Sequence, residues 1–254
     1  MKDIIVLEWS YTPPDYFEQP LHIVRDRYEI IIDSGKVEAR INPEYYDKDH
    51  NLREELHDAL IDRFLGVQIL SHKPFELSKS SMYRLHPNGR RDVTLFPEPI
   101  VVRVSVGPAD ILVKDKNGNI LSDTRRERIE KKAELADLAE KHRSANPVLE
   151  AMLKSYNASV NDPNNELVHL YEIRETLSKK FGGETVTREA LGISRNEWSR
   201  LGQLANKEPL KQGRHRGKDV GQLRDATEGE LKEARTIARA LIEAYLKYLD
   251  RQSQ

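Results

Sequence analysis

At 254 residues the chain is long enough for two domains of ordinary size; with 33% charged and 38% apolar residues, it has no apolar run near the ~20 residues of a transmembrane helix. There is no cysteine, which excludes disulfides and thiolate metal sites, and the apolar run Ile4-Ile5-Val6-Leu7 is too short for an export signal, so a cytoplasmic protein is expected. The net charge of −1 hides an asymmetry: residues 1–123 sum to −5, residues 124–254 to +4, and residues 195–224 alone to +5, which points to an anionic partner for that last stretch.

The N-terminal run, through Trp9, reads as a strand. Trp9, Tyr11, Pro13, Pro14, Tyr16 and Phe17 then form an aromatic–proline segment, suited to covering a sheet edge or to stacking on a peptide or base. Residues 28–32 and 36–41 flank Asp33-Ser34-Gly35, a hairpin signal. Val37, Ala39 and Ile41 alternate on one face of the second arm, predicting a half-exposed hairpin. Asp49 and Asn51 offer N-caps for a helix over 51–65, with Leu52, Leu56, Ala59, Leu60 and Phe64 at helical spacing and an end at Gly66. Strands are expected over 66–71, 92–96 and 100–106. A last hairpin over 111–121 turns at Asn117-Gly118. This is an antiparallel-rich α+β pattern.

From Thr124 the pattern becomes helical. Residues 124–142 read as a long, solvated helix laced with salt bridges, with a coiled coil or docking to a protein partner as its other use. A short helix starts at Pro147 and ends before the turn-rich 161–165. Another helix spans 166–181. A short one near 187–191 breaks at Gly192, and Ser194 with Glu197 makes a capping box for a helix over 195–206. Thr227 with Glu230 makes a second box, opening a final helix with the stripe Leu231, Ala234, Ala238, Leu241, Ile242, Tyr245 and Leu249. The expected class is therefore α+β: a β-rich α+β domain over 1–123, a helical connector over 124–161 and an all-α bundle over 162–254.

Two features stand out as chemistry. The segment 206–218 sets Arg214, His215, Arg216 and Lys218 around Gly213 and Gly217, after Asn206, Lys207 and Lys211. Arginine keeps its charge and suits phosphate or carboxylate, and histidine exchanges a proton near neutrality, so this tip is either an anion grip with acid–base capacity or a solvated turn. The second feature is Arg174. It falls within the stripe Leu167, Leu170, Tyr171, Leu177 and Phe181, where an unpaired guanidinium is costly. It either pairs with a carboxylate of the last helix, such as Glu243 or Glu230, or snorkels outward, or lines a polar cavity that takes an anion. Glu172 and Glu175, on other faces of the same helix, read as surface charges. No phosphate loop, dinucleotide fingerprint, His-Glu-x-x-His or nucleophile elbow occurs. The eight histidines are scattered, so neither a metal nor a cofactor is expected.

With Tyr171-Glu172-Ile173-Arg174-Glu175 on a long helix, the polar loop carrying Asn206 and Arg214-His215, and the long closing helix, residues 165–250 resemble the HEPN-type helical domains of prokaryotic toxins, abortive-infection and anti-phage proteins. The resemblance implies a four- or five-helix bundle, often a homodimer, and in active members a metal-independent ribonuclease that uses an Arg-x(4–6)-His motif. This chain departs from that motif: no histidine has an arginine five to seven positions before it, and Arg214 and His215 are adjacent.

Two functions follow. One is an RNA-directed effector of a toxin–antitoxin or antiviral defence system, with Arg200, Asn206, Lys207, Lys211, Arg216 and Lys218 gripping phosphates, Arg174 or Arg214 stabilising the phosphorane and His215 moving the proton. The other is a non-catalytic interaction or dimerisation protein, an adaptor or regulator for a larger partner.

Overall fold

Strand β1 (Ile4–Thr12) is the centre of a fully antiparallel sheet in the order β2–β3–β4–β1–β6–β7, with β5 pairing the end of β1. Its other strands are β2 (Leu21–Val24), β3 (Tyr28–Asp33), β4 (Lys36–Ile41), β5 (Glu76–Leu77), β6 (Ser81–Leu85) and β7 (Arg91–Thr94). This computed structural model describes residues 3–49, 51–86, 88, 90–94, 110, 112–114, 120–218 and 221–253. Contacts divide the chain into two units, Met1–Ile61 with Phe75–Glu130 and Asp62–Pro74 with Lys131–Gln254. The sequence places a boundary at 123/124; the contacts place it at 130/131 and assign 62–74 to the C-terminal unit.

In the first unit the predicted hairpin is present. Ser34 (φ 46°) and Gly35 (φ 84°) are both left-handed, as a type I′ turn requires. The register sets Ile5 opposite Ile41, Leu7 opposite Ala39 and Trp9 opposite Val37, with Ile30 and Ile32 continuing the row. All eight side chains are buried, and paired residues share a face. The first turns of α2 (Leu52–Ser71) cover that face: Leu52, Leu56 and Leu60 are buried, and the Trp9 indole N–H donates to Nδ1 of His57 at 3.2 Å. Trp9, Tyr11 and Tyr16 are 2%, 3% and 1% exposed. Burying each such ring stabilises by about 1.5–3 kcal/mol, so these aromatics are core and not a docking surface. Following α1 (Pro43–Tyr46) and the strands above, β8 (Leu112–Lys114) pairs antiparallel with β9 (Ile120–Asp123) as a separate two-stranded sheet. The turn expected at Asn117-Gly118 and the strand expected over 100–106 lie outside the described residues.

The second unit corrects two expectations. α2 does not stop at Gly66, and 66–71 is helix, not strand. A Cβ on Gly66 would stand 2.4 Å from Cα of Ala136, so this glycine serves a close approach to α3 (Thr124–His142). The helix ends instead where His72 adopts φ 48° and its N–H bonds the carbonyl of Gln68 at 2.8 Å, a left-handed cap. Nor is α3 solvated all round: Leu135, Ala136 and Ala139 are buried, and its Asp137 and Glu140 bind the buried Arg63 at 2.6 and 2.7 Å.

The remaining helices are α4 (Pro147–Asn161), α5 (Glu166–Phe181), α6 (Glu184–Leu191), α7 (Arg195–Asn206) and α8 (Glu228–Gln252). Asn146 caps α4, and both expected capping boxes are formed, Ser194 with Glu197 and Thr227 with Glu230. α5 is the hub of this bundle, touching α4, α6, α7 and α8. The architecture is thus α+β, an antiparallel sheet followed by a helical region. Among the described residues no helix is long and apolar enough to cross a membrane.

Candidate anion-binding site

The buried face of α5 is Leu167, Leu170, Ile173 and Leu177. Tyr171 and Phe181 are only half-buried, so Arg174 does not sit mid-core as the stripe suggested. It lies at the edge of that face, turned to the seam with α7. On α5, Tyr171, Arg174, Glu175 and Ser178 recur at helical spacing along one stripe. On α7, Trp198 and Gly202, four apart, face them. The guanidinium carbon of Arg174 is 4.9 Å from the Trp198 ring centroid and 5.1 Å from that of Tyr171. Arg214 adds a fourth member, 4.7 Å from Tyr171. The result is an alternating series: Trp198, Arg174, Tyr171, Arg214. Each such contact contributes about 0.5–2 kcal/mol, more as it is desolvated.

Neither Glu243 nor Glu230 pairs with Arg174. Glu243 meets Lys131 at 3.2 Å, and Glu230 binds Arg224 at 2.7 Å, which lowers the Glu230 pKa to about 2. The carboxylate nearest Arg174 is Glu184, at the start of α6, 3.6 Å from Nη2. The same carboxylate is 3.5 Å from Nε of Arg188. Both distances exceed a hydrogen bond. Arg174 is 17% exposed and its N–H groups have no hydrogen-bond acceptor among the described residues. Nε of Arg188 and Nε1 of Trp198 are buried and likewise unpartnered. Donors therefore outnumber acceptors around Glu184, and a buried donor left unpaired costs about 1–3 kcal/mol. Beside them opens a cavity of about 580 Å³ lined by Tyr171, Arg174, Glu175, Lys179, Glu184 and Trp198, among others.

The cationic tip turns in on the bundle. Leu210 is buried, the Arg214 N–H donates to the carbonyl of Ala205 at 2.7 Å, and the Arg214 guanidinium donates to Glu175 at 2.8 Å. Arg216 donates to the carbonyls of Gly213 (2.9 Å) and Asn164 (3.2 Å) and to Oδ1 of Asn165. Lys211 pairs with Asp225 at 2.9 Å. Arg200 binds Glu233 at 2.9 Å, a bond that raises its pKa, and it lines a different cavity, of about 840 Å³, with Lys232 and Glu233. Lys207, Lys218 and His215 are exposed, and among the described residues the His215 ring has no hydrogen-bond partner. Oδ1 of Asn206 is buried without one.

The fold therefore gathers two of the expected residues, Arg174 and Arg214, on Tyr171. It ties Arg200, Lys211 and Arg216 to acceptors of their own. Glu175 is not a bare surface charge but the partner of Arg214, and Glu172 accepts from Ser155 at 2.9 Å. Sequence reasoning missed Trp198, Gly202 and Glu184. The spacing of Trp198 and Gly202 on one helical face was the available signal, a large ring beside a gap.

A second polar cluster is enclosed in the same unit. Glu166, 2% exposed, takes a bidentate pair from Arg235 at 2.6 and 3.0 Å. His72 lies 3.6 Å from Glu166, edge-on to Tyr156. Burial, reinforced by Arg235, lowers the His72 pKa to about 4. Among the described residues no group of three or more histidine and carboxylate side chains is arranged to hold a metal ion.

In comparisons with known proteins, no family model matches the chain, and neither a curated protein nor a solved structure does.

Proposed function

We propose that the helical unit binds single-stranded nucleic acid through the Tyr171–Arg174–Arg214 cluster. The observation that carries this reading is Arg174: a largely buried guanidinium, held between two aromatic rings and without a hydrogen-bond acceptor, at the wall of a cavity. Proteins that bind single strands combine aromatic platforms with guanidinium groups that meet phosphate and stack on bases. The pairs that neutralise the neighbouring cations, Arg214–Glu175 and Lys211–Asp225, are exposed. Such pairs contribute only about 0–1 kcal/mol each, so a polyanion can exchange for them.

Binding is favoured over cleavage by the state of His215. A general base needs a group to orient it and reach to the proton it takes, and this exposed ring has no orienting partner among the described residues. Fluorescence anisotropy with a labelled single-stranded RNA across a salt series tests the reading. Affinity should fall with salt, with a log–log slope near −0.7 per phosphate contacted. Arg174→Gln and Arg214→Gln should each weaken it roughly ten-fold, about 1.4 kcal/mol. His215→Ala should leave it unchanged, with the RNA intact throughout. Absence of salt-dependent binding removes the proposal, and RNA cleavage lost in His215→Ala would restore the ribonuclease.

A further inference from the structure

Glu184 stands between two arginines without bonding either. One of its carboxylate oxygens is 3.6 Å from Nη2 of Arg174 and the other is 3.5 Å from Nε of Arg188. The two guanidinium groups are 17% and 21% exposed, whereas the carboxylate that faces them is 40% exposed. The buried Nε of Arg188 has no acceptor, and the N–H groups of Arg174 have none among the described residues. What this corner lacks is therefore acceptor oxygens and negative charge. A phosphate group supplies more of both than one carboxylate does, and charge-assisted bonds from the planar guanidinium suit it.

The local backbone makes the carboxylate replaceable. Gly182 and Gly183, at φ 82° and 133°, turn the chain from α5 into α6, which sets Glu184 at the cavity wall. The buried Thr187 then pins α6, its hydroxyl donating to the carbonyl of Gly183 at 2.7 Å and directed at that of Leu177 at 3.3 Å. The helix is thus fixed, and only the Glu184 side chain has to turn outward. Glu175, the other carboxylate of the wall, accepts from Arg214 at 2.8 Å and is the more firmly held of the two. Lys179, exposed on the same wall, adds a third cation.

We propose, building on the site of the preceding reading, that one phosphate group displaces the Glu184 carboxylate and binds Arg174 and Arg188 in its place. Glu184 then acts as an internal competitor that sets the affinity of the site. The phosphate comes either from an RNA strand or from free phosphate.

Calorimetry with inorganic phosphate at constant ionic strength tests this, beside anisotropy with the labelled RNA. Glu184→Gln, at a half-exposed side chain that bonds neither arginine, should keep the fold and bind phosphate roughly five-fold more tightly, the scale of one exposed ion pair. Glu189→Gln, which removes an exposed carboxylate of the same helix away from the cavity wall, should bind as the unmodified protein does. The gain should vanish in the double variant Glu184→Gln/Arg174→Gln, and Arg188→Gln should weaken binding. If the source is an RNA strand, Glu184→Gln should raise RNA affinity by the same factor and phosphate should compete the RNA away. Phosphate binding that follows this pattern in a protein that binds no RNA assigns the site to free phosphate and overturns the single-strand reading alone. Phosphate affinity unchanged in Glu184→Gln, or raised equally in Glu189→Gln, overturns the displacement even where RNA still binds.

Discussion

A Cβ on Gly202 would stand 2.0 Å from Nη1 of Arg174: the guanidinium occupies the space that this glycine leaves on α7. The obstructing atom is the tip of a flexible side chain, so Arg174 can swing away. Gly202→Ala gains up to about 1 kcal/mol of helix propensity and gives up the contact with Trp198, about 0.5–2 kcal/mol. Stability should therefore change little, within about 1 kcal/mol by urea denaturation, while RNA affinity falls as in Arg174→Gln. A variant that keeps full affinity would place the binding surface elsewhere.

Gly66 is the opposite case. The atoms that a Cβ would meet are backbone, Cα of Ala136 at 2.4 Å and its N at 2.8 Å, and α3 cannot yield without separating from α2. Overpacking of this kind costs about 1–3 kcal/mol, so Gly66→Ala should lower the urea midpoint despite its better helix propensity. An unchanged midpoint would show that the two helices are not in close contact here.

Two arginine–carboxylate pairs of similar geometry should differ sharply in worth. Arg235→Ala strands Glu166, which is 2% exposed, and loss of one partner of a buried pair costs about 3–5 kcal/mol. Arg224→Ala breaks the exposed pair with Glu230, worth about 0–1 kcal/mol. Comparable losses in the two variants would contradict the burial of Glu166.

The depressed pKa of His72 sets a pH window. Its folded value is about 4 against an ordinary 6.5, so between those values the unfolded chain holds a proton that the folded chain refuses. Stability then rises with pH through the window: the contribution is complete above 6.5 and is lost as pH falls toward 4. The span corresponds to about 3 kcal/mol. Denaturation curves at pH 7 and pH 4.5 should differ by much of this amount, and the difference should shrink in His72→Gln. A difference that persists undiminished in the variant would assign it to other groups.

Where structure depends on neighbours within one turn, the sequence predicted it well. Helix bounds at 124–142, 166–181 and 195–206 match α3, α5 and α7, because capping residues such as Ser194 and Glu197 mark an end locally. Asp33-Ser34-Gly35 marked its hairpin for the same reason. Gly66 misled because a glycine that ends a helix and one that admits a neighbouring helix look alike in one dimension. Strands β2 and β6 went unforeseen because their partners, β3 and β1, supply the reason they are extended. At the site, Arg174 was visible as a misfit in a stripe, but its true surroundings were not.

Composition, charge asymmetry, caps and turns were determined by the chain alone, since each depends on residues that touch whatever the fold. Tertiary structure decided that Trp198, Arg174, Tyr171 and Arg214 stack in series and that Glu184, not a carboxylate of α8, stands nearest Arg174. Those residues come from α5, α6, α7 and the loop before α8. Only burial of the apolar faces between these helices brings charges so distant in sequence within a few ångströms, where low exposure lets them interact strongly.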